Sequence, residues 1–141
     1  MHKLFILILG IAFSAHLMAE TGTLDSLGEK RWTNRVILVD KATETMVGEL
    51  EARRAEMDER QLLWFCVVSG EIDTNYRGEL GDSLLGQLKQ DYFEKSGFPV
   101  LLIGKDGGIK SRDQTLDIDR YLIQIDSMPM RQSEMNSSPT D

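Results

Sequence analysis

Three apolar runs in this chain leave no room for a solvated face. VILV (36–39), the middle of QLLWFCVVSG (61–70) and PVLLIG (99–104) are apolar at consecutive positions, not at alternate ones. Successive side chains of a strand point to opposite faces, so a continuous run fits only a strand covered on both sides. Any fold built on these runs needs helices above and below a central sheet.

The segments between them supply the helices. ATETMVGELEARRAEMDER (42–60) places Met46, Val47, Leu50 and Met57 on one face, with Thr43 or Thr45 as its cap. Glu49–Arg53 and Glu56–Arg60 are i,i+4 pairs expected on its wet face. DSLLGQLKQDYF (82–93) starts at Asp82 or Ser83 and turns Leu84, Leu85, Leu88 and Tyr92 inward. LDIDRYLIQIDSM (116–128) is capped by Asp117, buries Ile118, Tyr121, Leu122 and Ile125, and stops at Pro129. EIDTNYRGELG (71–81) reads as a polar loop, KDGG (105–108) as a hairpin turn and IKSR (109–112) as a fourth strand. Trp32 is expected to pack over the entry of the first strand. The expected class is therefore α/β, in the order β-α-β-α-β-β-α. It forms a three-layer sandwich around a mixed four-stranded sheet, with parallel pairing in the first part and a closing hairpin.

The ends read differently. Lys3, the apolar stretch from Leu4 to Ala15 and the small residue closing HLMA have the layout of an export signal cleaved after Ala19. The expected organisation is a signal at 1–19, a loosely packed polar segment at 20–31, a domain at 32–130 and a disordered polar tail at 131–141. The expected location is exported, periplasmic or secreted, with no stable membrane insertion once the signal is removed.

Charge and residue counts narrow the chemistry. The formal net charge is −7, and losing the signal removes Lys3 and makes it one unit more negative. An acidic chain without a Lys/Arg cluster repels nucleic acid. Both histidines, His2 and His16, lie in the expected signal, and Cys66 is the single cysteine. The mature chain thus lacks the residues for Ser-His-Asp or Cys-His triads, for His-containing metal sites and for an internal disulfide. Cys66 sits mid-strand between Phe65 and Val67, where a thiol behaves as a small hydrophobe. An enzymatic alternative, a one-cysteine oxidoreductase or peroxide-reactive protein, would have to use it. DTNYRGELGDSL (73–84) places Asp73, Asn75 and Gly78 at EF-hand positions. However, Arg77 and Leu84 stand where oxygen ligands belong, so no metal is expected. GKDGG lacks the Lys-Ser/Thr of a phosphate loop, and no cofactor is expected.

Two resemblances follow from quoted residues. GFPVLLIGKDGGI (97–109) carries Gly97, Pro99, an apolar run, Lys105 and Gly107 in the pattern that precedes and follows the third strand of the thioredoxin fold, and VILVDKA (36–42) resembles its first strand. This resemblance implies a cis-proline at Pro99. RWTNRVILV, GKDGGIKSR and IDSMPMRQSEM (125–135) together resemble the family called domain of unknown function 4174. That family comprises small, mostly bacterial exported domains, with relatives in vertebrate secreted proteins. It is considered thioredoxin- or peroxiredoxin-like and has no established activity. The thioredoxin cysteine slots fall on Met46 and Glu49 or on Thr45 and Gly48. The peroxiredoxin Thr-x-x-Cys slot reads Thr43 and Met46, so no slot holds a thiol. The resemblance implies a binding module whose working surface is Ala42, Thr43, Glu44, Thr45 and Met46 beside Phe98 and Pro99, facing a protein or peptide partner.

Overall fold

The computed structural model describes residues 22–137, so the expected signal at 1–19 lies outside the described residues. Five strands form one mixed sheet: β1 (Arg35–Val39), β2 (Leu62–Val68), β3 (Glu71–Thr74), β4 (Val100–Ile103) and β5 (Ile109–Asp113), in the order β3-β2-β1-β4-β5. β1 pairs with β2 in parallel and with β4 antiparallel, while β3 and β5 close the edges antiparallel. Along β1 the side chains divide strictly by parity. Ile37 and Val39 enter one core with Leu50, Met57, Trp64, Cys66 and Tyr121, whereas Val36 and Leu38 enter a second with Leu24, Phe65, Leu84 and Leu88. Both faces are covered, which is why the runs do not alternate.

The first core lies under α1 (Glu44–Glu51), α2 (Arg54–Glu59) and α4 (Ile118–Asp126), and the second under α3 (Leu84–Gln87) and the π-helical turn that continues it (Leu88–Glu94). Thr43 caps α1 by accepting from the Met46 N–H at 3.2 Å, and Asp117 caps α4 by accepting from the Arg120 N–H at 3.1 Å. The four inward residues expected of α4 are all buried.

Several expectations are corrected. The sheet has five strands, because Ser69 (φ 49°) and Gly70 (φ 80°) form a two-residue turn with both residues left-handed, and Glu71–Thr74 folds back on β2. Such a turn matches the twist of a hairpin. Asn75 prolongs the pairing with its side chain, accepting from the Trp64 N–H at 2.8 Å and donating to the Leu62 carbonyl at 3.1 Å. The helix expected over 42–60 breaks between Glu51 and Arg54 into α1 and α2. The expected i,i+4 pairs are replaced: Arg53 binds Glu56 and Asp119, and Arg60 binds Asp126 through two nitrogens. In the next helix Tyr92 packs against the second core half-buried, and Phe93, outside the expected inward set, is the more deeply buried of the two, since a π turn makes Leu88 and its i+5 neighbour face the same way. Ser83 makes no side-chain cap bond.

Trp32 does not pack over a strand. It is 57 % exposed, with a left-handed backbone (φ 71°). The polar segment before it is not loose, since Leu24 and Leu27 are buried and Leu24 exchanges backbone hydrogen bonds with Glu79 and Gly81. Residues 131–137 are not a disordered tail. They belong to α5 (Pro129–Ser137), where Pro129 both ends α4 and opens the next helix. No peptide bond is cis among the described residues, so the Phe98–Pro99 bond is trans and the expected cis-proline is absent. Pro99 nevertheless fits its place. It stands one residue before β4, needs no ladder donor there, and its carbonyl accepts from the Asp40 N–H at 2.8 Å.

Candidate functional site

A concavity of about 820 Å³ opens where β1 ends and β4 begins. Its walls come from the β1 exit (Asp40, Lys41, Ala42), the β2–β3 turn (Val67, Ser69, Gly70), the π-helical turn (Lys89, Phe93, Glu94) and the approach to β4 (Gly97, Phe98, Pro99), with Gln114 at one side. Backbone bonds lock these pieces together: the Ala42 N–H donates to Val67 O at 2.9 Å, and the Gly97 N–H closes the helix end on Phe93 O at 2.9 Å. Four residues with positive φ line this one cleft. Ser69, Gly70 and Gly97 (φ 75°) serve a tight turn and a helix end. Lys41 (φ 51°) is not a glycine, and its N–H is held by the Asp40 carboxylate at 3.0 Å. A left-handed Lys costs about 1 kcal/mol, and such residues tend to gather at sites of function. Asp40 and Glu94 balance Lys41 and Lys89, so the lining carries no net charge.

The expected surface is brought together in part. Ala42, Phe98 and Pro99 line the cleft, whereas Thr43, Glu44, Thr45 and Met46 do not. Thr43 is occupied as a cap, Glu44 and Thr45 face solvent on the first turn of α1, and Met46 packs against the first core. Sequence reasoning missed the β2–β3 turn and Lys89. The turn had a signal in Ser-Gly followed by alternating Glu71-Ile72-Asp73-Thr74, but Lys89 had none.

Cys66 lies away from the cleft lining. It is fully buried in β2, and burial, reinforced by the Asp73 charge, pushes its thiol up to about 12. At pH 8 only about one thiol in ten thousand is then ionised. Iodoacetamide is expected to leave native Cys66 unlabelled over hours and to label it fully in denaturant; fast native labelling would contradict the burial. Among the described residues no group of three or more His, Cys, Asp or Glu side chains is placed to hold a metal ion, and no helix is long and apolar enough to cross a membrane.

The opposite end of β1 carries a buried ion cluster. Arg35 is 1 % exposed and grips both Glu134 oxygens, at 3.1 and 3.3 Å, while donating to Arg60 O at 3.0 Å. Lys105, also buried, donates to the same Glu134 and to Gln61. Arg131 ties α5 to Asp126 and Glu59. Burial works against the Glu134 charge, but the Lys105 and Arg35 donors outweigh it and hold the carboxyl below its usual range. The three segments that carry the family resemblance meet in this cluster: Arg35 comes from the first, Lys105 from the second, and Asp126, Arg131 and Glu134 from the third. A family model described as domain of unknown function DUF4174 matches residues 26–134. The chain belongs to that family. The matched span of this DUF4174 domain runs from the 3₁₀ turn at Leu27–Lys30 to Glu134 itself, so it takes in every charged partner of the cluster. No curated protein and no solved structure matches the chain.

Proposed function

We propose that this DUF4174 protein is an exported, thioredoxin-like binding module that has no thiol chemistry and receives an extended protein segment in the 820 Å³ cleft. The strand order β2-β1-β4-β5, with one parallel and two antiparallel pairings, supports the thioredoxin-like reading. The observation that carries the binding role is the cleft itself. It sits at the junction of the first strand and first helix, where redox relatives of that fold keep their cysteines, and its lining, which includes Ala42, Phe98 and Pro99, contains no thiol. A lining of balanced charges with half-buried Phe98 and Pro99 suits a segment of mixed apolar and polar side chains.

Peptides selected from a random library against the purified protein test this. They are expected to shift the amide resonances of Lys41, Ala42, Gly70 and Gly97, and Phe98→Asp is expected to weaken them tenfold or more while leaving core amide exchange unchanged. A selection that yields no binders, binders that shift other residues, or binding that survives Phe98→Asp overturns the reading.

A further inference from the structure

A second cleft, about 400 Å³, lies at the other end of β1, between the 3₁₀ turn and the Gly104–Gly108 turn. Its floor is apolar, made by Leu27, Val36 and Ile103. Its rim carries Lys30 and Arg31, and neither forms an ion pair among the described residues. Both cations rest on rings instead, Lys30 4.8 Å from the Tyr76 centroid and Arg31 4.9 Å from the Trp32 centroid. Arg31 is held from two sides. Trp32 is pinned by its N–H bond to Lys105 O at 2.6 Å, and the Arg31 stem lies along the glycine turn, where a Cβ on Gly107 would stand 3.6 Å from Arg31 Cδ. The turn cannot act as a backbone cradle through the Gly104, Gly107 and Gly108 amides, which are spent on Gly108 O, Gly104 O and the Asp106 carboxylate. Recognition therefore falls to side chains.

We propose that this cleft binds a small organic monocarboxylate with an apolar body, the carboxylate between Lys30 and Arg31 and the body on Leu27, Val36 and Ile103. The charge count favours a single negative charge. Asp106 binds Lys110 at 2.7 Å and also draws on the Arg31 charge, so Lys30 and Arg31 together offer less than two free positive charges and a doubly charged phosphate would be under-compensated. The guanidinium presents a fork that fits a carboxylate, and desolvation of the chain's body on the apolar floor adds to it. In a protein with a formal charge of −7, two cations at the mouth of an apolar cleft, neither of them in a salt bridge and only Arg31 acting on a nearby acid, Asp106, stand out as an anion site.

Octanoate is the probe, with octanol and octylammonium as length-matched controls. Titrating octanoate into the full protein is expected to shift the Gly104, Gly107 and Gly108 amides saturably and to change Trp32 emission as Arg31 leaves the ring. Trp32→Phe assigns that emission change. Arg31→Met and Lys30→Met keep the side-chain length without the charge, and each is expected to raise the half-saturation concentration tenfold or more. Arg31 is exposed and Lys30 half-buried, and the circular dichroism spectrum checks that each variant folds. Glycine amides that do not move, octanol or octylammonium binding as tightly as octanoate, or half-saturation unchanged in both Met variants overturns the proposal.

Discussion

Glu134→Ala is expected to lower unfolding free energy by about 2–3 kcal/mol, a large share of the stability of a domain this size. The reason is not the loss of attraction as such. Arg35 is 1 % and Lys105 7 % exposed, and Glu134 is the carboxylate both of them grip. Removing it leaves two charges in a poorly hydrated site, one of which already has a buried Nε without a hydrogen-bond partner. Because Glu134 itself is 27 % exposed, the loss falls below the roughly 3–5 kcal/mol of a fully buried pair. Urea denaturation measures the loss, and amide exchange across 130–136 reports whether α5 lets go. A change under about 0.5 kcal/mol would show that water reaches the cations freely. The pH dependence has a definite sign. The Glu134 carboxyl titrates below its usual 4.5 when folded, so the unfolded chain takes up the proton first. The cluster's contribution is complete above pH 4.5 and is lost as pH falls through the folded value. The neighbouring Asp126, held low chiefly by Arg60, adds to the same acid loss. Glu134→Gln should flatten that part of the acid profile.

Trp64→Ala is expected to cost about 3–5 kcal/mol, the largest effect of any single truncation proposed for this chain. Trp64 is 2 % exposed in the middle of β2 and packs in the core shared with α1, α2 and α4. The second tryptophan is the natural control. Trp32→Ala is expected to stay within about 0.5 kcal/mol of the parent, because the ring is 57 % exposed. Thermal unfolding of the two variants compares them directly, and equal losses would contradict the assignment of Trp32 to the surface.

These two tryptophans show how far the sequence was legible. Trp64 lies inside an unbroken apolar run, and that run says it is buried whatever the neighbours are. Trp32 lies between polar residues, and nothing in RWTN indicates a left-handed backbone that turns the ring outward. The same division holds for the helix before β4. Tyr92 and Phe93 are adjacent and both aromatic, so a regular 3.6-residue period selects Tyr92 alone, while the π turn buries Phe93 and leaves Tyr92 half-buried against the same core. The cleft was half legible, since Phe98 and Pro99 were placed at its edge but the β2–β3 turn was read as a loop.

By itself the sequence determined the layered α/β class, the buried strands, the Asp117 helix cap and the buried setting of Cys66. All of these follow from local pattern: unbroken apolar runs, helical spacing, and a capping side chain one turn from its target. Tertiary structure alone decided the fifth strand's pairing, the trans bond at Pro99 and the fate of the charged C-terminal segment. Arg35 and Glu134 are 99 positions apart. No local rule connects charges at that distance, and a segment as polar as RQSEM reads as tail until a buried arginine and lysine give its carboxylate somewhere to go.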